Sequence, residues 1–113
     1  MKRETGKYLV DVRDAAGALT RFVADRTREE YLQDELLRSG VQWQFAVIGE
    51  AISQLAKIDP DTAERITDYR QIISFRNILI HGYGEVNDEA VWLRIEQHVP
   101  ILVADVSQLL DEF

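Results

Sequence analysis

Apolar residues recur at steps of three and four along most of this chain, and the strict alternation of a half-buried strand is nearly absent. The first spacing puts apolar side chains on one face of a helix. Tyr8, Val12, Ala15, Leu19 and Phe22 predict a helix over residues 7–26. Thr27 with Glu30 three residues later has the form of a capping box, so a new turn of helix starts there. Asp34 is an N-cap for a long helix over residues 35–57, with the stripe Val41, Phe45, Ile48, Ile52 and Leu55. Gly40 and Gly49 sit inside it at a cost of about 1 kcal/mol each relative to alanine. Gly49 falls beside the stripe, which predicts the close approach of a neighbouring helix.

Asp59-Pro60 ends the long helix and opens a short one over residues 61–66. Asp68 then caps a helix over residues 69–81. Ile72, Ile73, Phe75, Ile78, Leu79 and Ile80 lie almost all round it, so it is predicted to be the most buried helix of the protein. In a chain this small, one cover is the domain core and the other a second subunit. Gly82 and Gly84 end this helix and allow left-handed backbone. Asn87 or Asp88 caps the last helix, which runs to about residue 110 with the stripe Trp92, Ile95, Val99, Leu102, Val106 and Leu109 and a kink at Pro100. The expected architecture is one all-α domain over residues 1–113, an up-and-down bundle of four main helices plus a short extra helix, dimerising along the 69–81 helix.

The 113 residues include no cysteine, which excludes disulfides, thiolate metal sites and cysteine nucleophiles. No apolar stretch approaches the length of a membrane span and the N-terminus has no signal-peptide core, so the expected location is cytoplasmic, with no membrane partner. A net charge of −7 argues against broad electrostatic binding of nucleic acid. The charge is uneven, however: about +3 over residues 1–28, about −6 over 29–64, about +2 over 65–84 and about −6 over 85–113. The 69–81 helix therefore lies in one of two basic segments.

That helix also carries the candidate chemistry, in Arg76-Asn77-Ile78-Leu79-Ile80-His81-Gly82-Tyr83. Arg76 among isoleucines is either a structural arginine paired with a core-facing acid, Glu50 being the obvious one, or a clamp for phosphate. His81 lies five residues on, about 140° round a regular helix from Arg76. The two converge if the helix ends or distorts at His81, or if a second subunit completes the site. Alternatively, His81 bonds a free carbonyl at the helix C-terminus. Asn77 could orient either residue, and Tyr83 could pack at the helix end. His81 and His98 are too distant in sequence to imply a metal site, and Asp59, Asp61 and Glu64 read as a solvated helix start. Trp43 and Trp92 read as packing residues rather than as base-stacking platforms, since helical bundles bury tryptophan readily.

The Arg76-to-Tyr83 segment resembles the Arg-X4-His-X-Tyr motif of HepT-like proteins, toxins of the wider HEPN group. Ile48-Gly49-Glu50-Ala51 resembles the family's central helix, Asp68-Tyr69-Arg70-Gln71-Ile72-Ile73-Ser74-Phe75 its lead into the motif, and Val91-Trp92 with Pro100 its final helix. The likeness spans residues 7–110. It implies a helical bundle, assembled as a dimer or a higher oligomer, that acts as an endoribonuclease on RNA without metal or cofactor. The site would be built from two subunits, with Arg76 and His81 catalytic and Asn77 and Glu50 supporting. It also implies a partner, a minimal nucleotidyltransferase antitoxin that silences the nuclease by transferring AMP to Tyr83. Tyr69 stands where the family has Trp, and glycine follows both His81 and Tyr83. A rival reading is a non-catalytic nucleotide- or partner-binding subunit of such a nucleotidyltransferase. A plainer one is a structural dimer.

Overall fold

The computed structural model describes residues 2–113, Tyr83 by its backbone only. The helices are α1 (Arg3–Val23), α2 (Arg28–Gln33), α3 (Glu35–Ile58), α4 (Pro60–Ala63), α5 (Tyr69–His81), α6 (Asp88–Gln97) and α7 (Val99–Asp111). No strand occurs among the described residues. With α6 and α7 read as one broken helix, the four long elements are those expected, and α2 and α4 are short connectors. No described helix is long and apolar enough to cross a membrane.

Local polar residues set most of the helix starts. The Thr27 hydroxyl accepts from the Glu30 amide at 3.1 Å, and the Thr27 amide donates to the Glu30 carboxylate at 2.9 Å, completing the capping box that opens α2. Asp34 accepts from the Leu37 amide at 3.0 Å and opens α3. Asn87 accepts from the Ala90 amide at 3.1 Å and opens α6. Asp59 does the same for α4 and also accepts from the Thr5 hydroxyl at 2.9 Å, tying the end of α3 to the start of α1.

Helix α3 is the central element, with α1 packed on one side and α5 on another; α7 lies against α1, and α2 spans α3 and α6. The core is the facing stripes of these helices: Leu9, Val12 and Leu19 of α1; Val41, Ile48, Ile52 and Leu55 of α3; Val91 of α6; Val106 and Leu109 of α7. Trp92 is 6% exposed and packs its ring 5.3 Å from that of the fully buried Tyr31.

Several expectations need correction. Helix α1 starts before residue 7 and stops at Val23, because Asp25 takes a left-handed φ of 61°. Phe22, in the last turn of α1, lies outside the core, with its ring against Gly40. Helix α4 ends at Ala63 rather than at residue 66. Asp68 gives no side-chain cap: its φ is 56°, and its main-chain carbonyl instead receives the Gln71 and Ile72 amides at 3.0 and 3.2 Å. The last helix breaks at His98 rather than bending at Pro100, so the proline occupies the first turn of α7, where its missing N–H costs nothing. Gly82 has a φ of −123°, and no described glycine is left-handed. The turn closes through the Glu85 amide, which donates to the Gly82 carbonyl at 2.8 Å.

The largest correction concerns α5. It is not the most buried helix, since Phe75 is its one buried residue. Ile72, Ile73 and Leu79 are half-buried against the core, while Ile78 and Ile80 are 41% and 43% exposed. The apolar residues do run round the helix, but one bundle covers only part of them.

Candidate active site

The packing of α5 on α3 depends on a missing side chain. A Cβ at Gly49 would come within 2.7 Å of Arg76 Cγ and be closer still to its Cβ. Glycine thus lets the stem of Arg76 lie directly on the α3 backbone, as the position of Gly49 beside its stripe predicts. The guanidinium is thereby delivered to Glu50, the next residue of α3. Arg76 Nη2 donates to Glu50 Oε2 in a short ion pair, and Nη1 donates to Asn77 Oδ1 at 2.7 Å. The other Glu50 oxygen accepts from Gln54 Nε2 at 3.0 Å. Arg76 Nε is buried and has no acceptor.

These contacts join Gln54, Glu50, Arg76 and Asn77 into one polar chain across α3 and α5. The Arg76 side chain is 22% exposed, so the guanidinium is held at the protein surface rather than sealed beneath it. A guanidinium has five N–H donors. Glu50 and Asn77 engage one on each terminal nitrogen, leaving a further N–H on both for an incoming anion. A groove of about 320 Å³ opens beside Arg76, lined by Tyr8 and Asp11 of α1, by Trp43, Glu50 and Gln54 of α3, and by Ile80.

His81 does not line this groove. Helix α5 continues unbroken through His81, so the angular separation of about 140° from Arg76 stands. The side chain is exposed and forms no hydrogen bond to another described residue; in particular it does not bond a helix-end carbonyl. Asn77 connects the two positions. It lies one turn before His81, on the exposed stripe Ser74, Asn77, Ile78 and His81, and it also holds Arg76. Tyr83 begins a single 3-10 turn, Tyr83–Glu85, and its side chain lies outside the described residues.

On its inner side α5 rests on Phe75, which meets Phe45 edge-on at 5.1 Å. Arg94 of α6 covers the other side of that ring, 4.3 Å from its centre, and burial lowers the pKa of its guanidinium. This apolar anchor fixes α5 one residue before Arg76.

Trp43 was expected to pack in the core, yet it is 67% exposed and forms a wall of the Arg76 groove. Its helical phase carries the signal. Position 43 is two residues from Val41 and Phe45 of the buried stripe, but seven from Glu50, which returns to nearly the same face after two turns.

Comparison with known proteins identifies the family of the chain. The family model described as "Ribonuclease HepT-like" matches residues 12–109. "Putative RNase MJ1380" of Methanocaldococcus jannaschii is 26% identical over 108 residues, covering 94% of this chain and 96% of that protein. "Probable ribonuclease HepT" of Thermococcus cleftensis is 26% identical over 112 residues, covering 96% and 98%. "Putative RNase MJ0127", also from M. jannaschii, is 25% identical over 116 residues, covering 98% and 91%. No solved structure gives a significant match. The match over nearly the whole bundle, including α3 and the complete Arg76–His81 segment, places this chain in the HepT-like ribonuclease family.

Proposed function

We propose that this ribonuclease cleaves RNA without metal at a site formed by Arg76 and His81, with Asn77 and Glu50 in support. The observation that carries the reading is the guanidinium of Arg76, held by Glu50 and Asn77 at the mouth of a groove with N–H donors to spare. In this mechanism an RNA 2′-hydroxyl attacks its own 3′-phosphate. A P–O bond forms to the 2′-oxygen and the P–O5′ bond breaks. His81 takes the 2′-hydroxyl proton or supplies one to the leaving 5′-oxygen, as imidazole can do near neutral pH. Arg76 binds the non-bridging oxygens and offsets the charge that grows on them. The products are a 2′,3′-cyclic phosphate and a 5′-hydroxyl.

An unbroken α5 keeps Arg76 and His81 of one chain apart. The site is therefore completed in a two-fold dimer, with His81 of one subunit meeting Arg76 of the other. The exposed Ile78, on the same stripe of α5 as His81, supplies apolar surface for that contact. Biologically the protein is the toxin of a toxin–antitoxin pair. A minimal nucleotidyltransferase antitoxin transfers AMP to Tyr83, at the turn directly after the motif helix. The added phosphate would compete with RNA for the Arg76 guanidinium.

The Arg76–Glu50 pair is also what a purely structural arginine would show, and activity separates the two readings. Purified protein in the presence of chelator should cut an oligoribonucleotide to a cyclic-phosphate end, and His81→Ala should remove the activity while leaving the thermal transition in place. Retention of full activity by His81→Ala would exclude the mechanism.

A further inference from the structure

Trp43 and Arg76 share a groove, and this suggests how the enzyme holds its substrate. The indole is 67% exposed, whereas the other tryptophan of the chain is buried at 6%. Trp43, Ala46, Val47, Glu50 and Gln54 form one face of α3 along the groove. Trp43 lies seven residues from Glu50, about two turns or roughly 10 Å along the helix. Since Glu50 carries the guanidinium of Arg76, a nucleotide next to the bound phosphate could reach the indole. Tyr8 and Ile80 complete an apolar lining, and the groove's 320 Å³ suits a flat ring of nucleobase size.

Charge points the same way. The protein carries −7 overall, and the groove itself contains Asp11 and Glu50 beside its one arginine. Long-range attraction for a polyanion is therefore weak here, and affinity has to come from short-range contacts. Stacking on an exposed indole is such a contact. It tolerates any base sequence, because every base has a π-face, and it requires the base to be unpaired.

We propose that Trp43 is the stacking platform for an unpaired RNA base adjacent to the phosphate held by Arg76. The proposal rests on the nuclease reading and adds to it a preference for single-stranded RNA. It also assigns part of the binding energy to a residue outside the Arg76–His81 motif. Because the side chain is largely exposed, replacing it leaves the core intact.

The test uses the full chain carrying His81→Ala, so that RNA is not consumed, with a short unstructured oligoribonucleotide as probe. Binding should quench tryptophan fluorescence, with Trp43 as the responding residue because Trp92 is buried. Affinity should stay within about threefold in Trp43→Phe and fall by about tenfold or more in both Trp43→Leu and Trp43→Ala. The sedimentation coefficient should not change. An abasic nucleotide at one position should cost the parent protein a comparable amount and cost Trp43→Ala almost nothing. Equal binding by the Phe and Leu variants would overturn stacking in favour of plain apolar contact. Dissociation of a dimer on Trp43→Ala would overturn it in favour of a second copy of the chain seated there. The underlying reading fails separately. RNA that quenches Trp43 but is never cut by the unmodified protein would remove the nuclease mechanism and keep the platform. Cleavage with unchanged KM in Trp43→Ala would remove the platform and keep the mechanism.

Discussion

Arg76 and His81 belong to the same helix, yet the fold treats their two ends of it differently. Around Arg76, α5 lies directly on α3 through Gly49, the guanidinium is bonded to Glu50 and Asn77, and the preceding Phe75 is wedged between Phe45 and Arg94. Around His81 the side chain is exposed and unbonded to other described residues, next to isoleucines that the bundle leaves partly uncovered. One end is organised by the chain's own packing. The other is left to be organised from outside. If catalysis needs both ends, as we propose, the site is half-formed in a single chain, and assembly would complete it.

The contrast can be broken most sharply at the open end. His81→Ala should lower the cleavage rate by roughly 10²–10⁴-fold, the usual worth of a general acid or base. Its melting temperature should hardly move, as thermal unfolding by circular dichroism would verify. At the organised end, Arg76→Lys should lower kcat/KM by roughly 10²-fold, because an ammonium lacks the planar fork that makes bidentate phosphate contacts. Gly49→Ala attacks the same end through packing. The new methyl has to displace the Arg76 stem, so unfolding free energy should drop by about 1–3 kcal/mol in urea titrations, with activity falling alongside. Glu50→Gln keeps the shape and removes the charge. The pair is partly exposed, so the stability loss should be at most about 1 kcal/mol.

The smallest effect is a pH dependence in the scaffold that steadies α3. Hydrogen bonds from Thr62, then from Thr5, hold the Asp59 carboxyl below the usual carboxylate range. With its folded pKa below its unfolded one, Asp59 contributes its full stabilisation above about pH 4 and loses it as the pH falls through the folded value. The stability gap between wild type and Asp59→Asn, measured by urea midpoints, should therefore be widest near neutrality and narrow in acid.

What was legible in the sequence follows from the range of the interactions involved. Thr27 with Glu30, Asp34 and Asn87 act on amides three residues away, so their roles can be read from spacing. Gly49 and the Glu50–Arg76 pair were legible for a related reason. A glycine beside an apolar stripe and an arginine inside one each call for a specific neighbour. Burial was less legible, because it depends on which elements happen to cover a face. The isoleucines of α5 show an apolar girdle without showing that the bundle covers only one side, and Phe22 continues the α1 stripe past the point where the core ends. The left-handed backbone at Asp68 and the break at His98 are set by how α5 and α7 dock, and no local pattern marks them. Trp43 was misread from its residue type, although its helical phase pointed to Glu50.

The claim that the open end is completed by a second subunit is tested most directly by mixing two dead proteins. Arg76→Gln and His81→Ala chains, co-expressed and purified as mixed dimers alongside each variant alone, would be assayed on the same oligoribonucleotide. If His81 of one subunit serves Arg76 of the other, each mixed dimer carries one intact site. The purified mixed dimers should then recover about half of the wild-type rate, since each has one of its two sites. A mixture that contains verified mixed dimers and remains as inactive as its components would contradict the account.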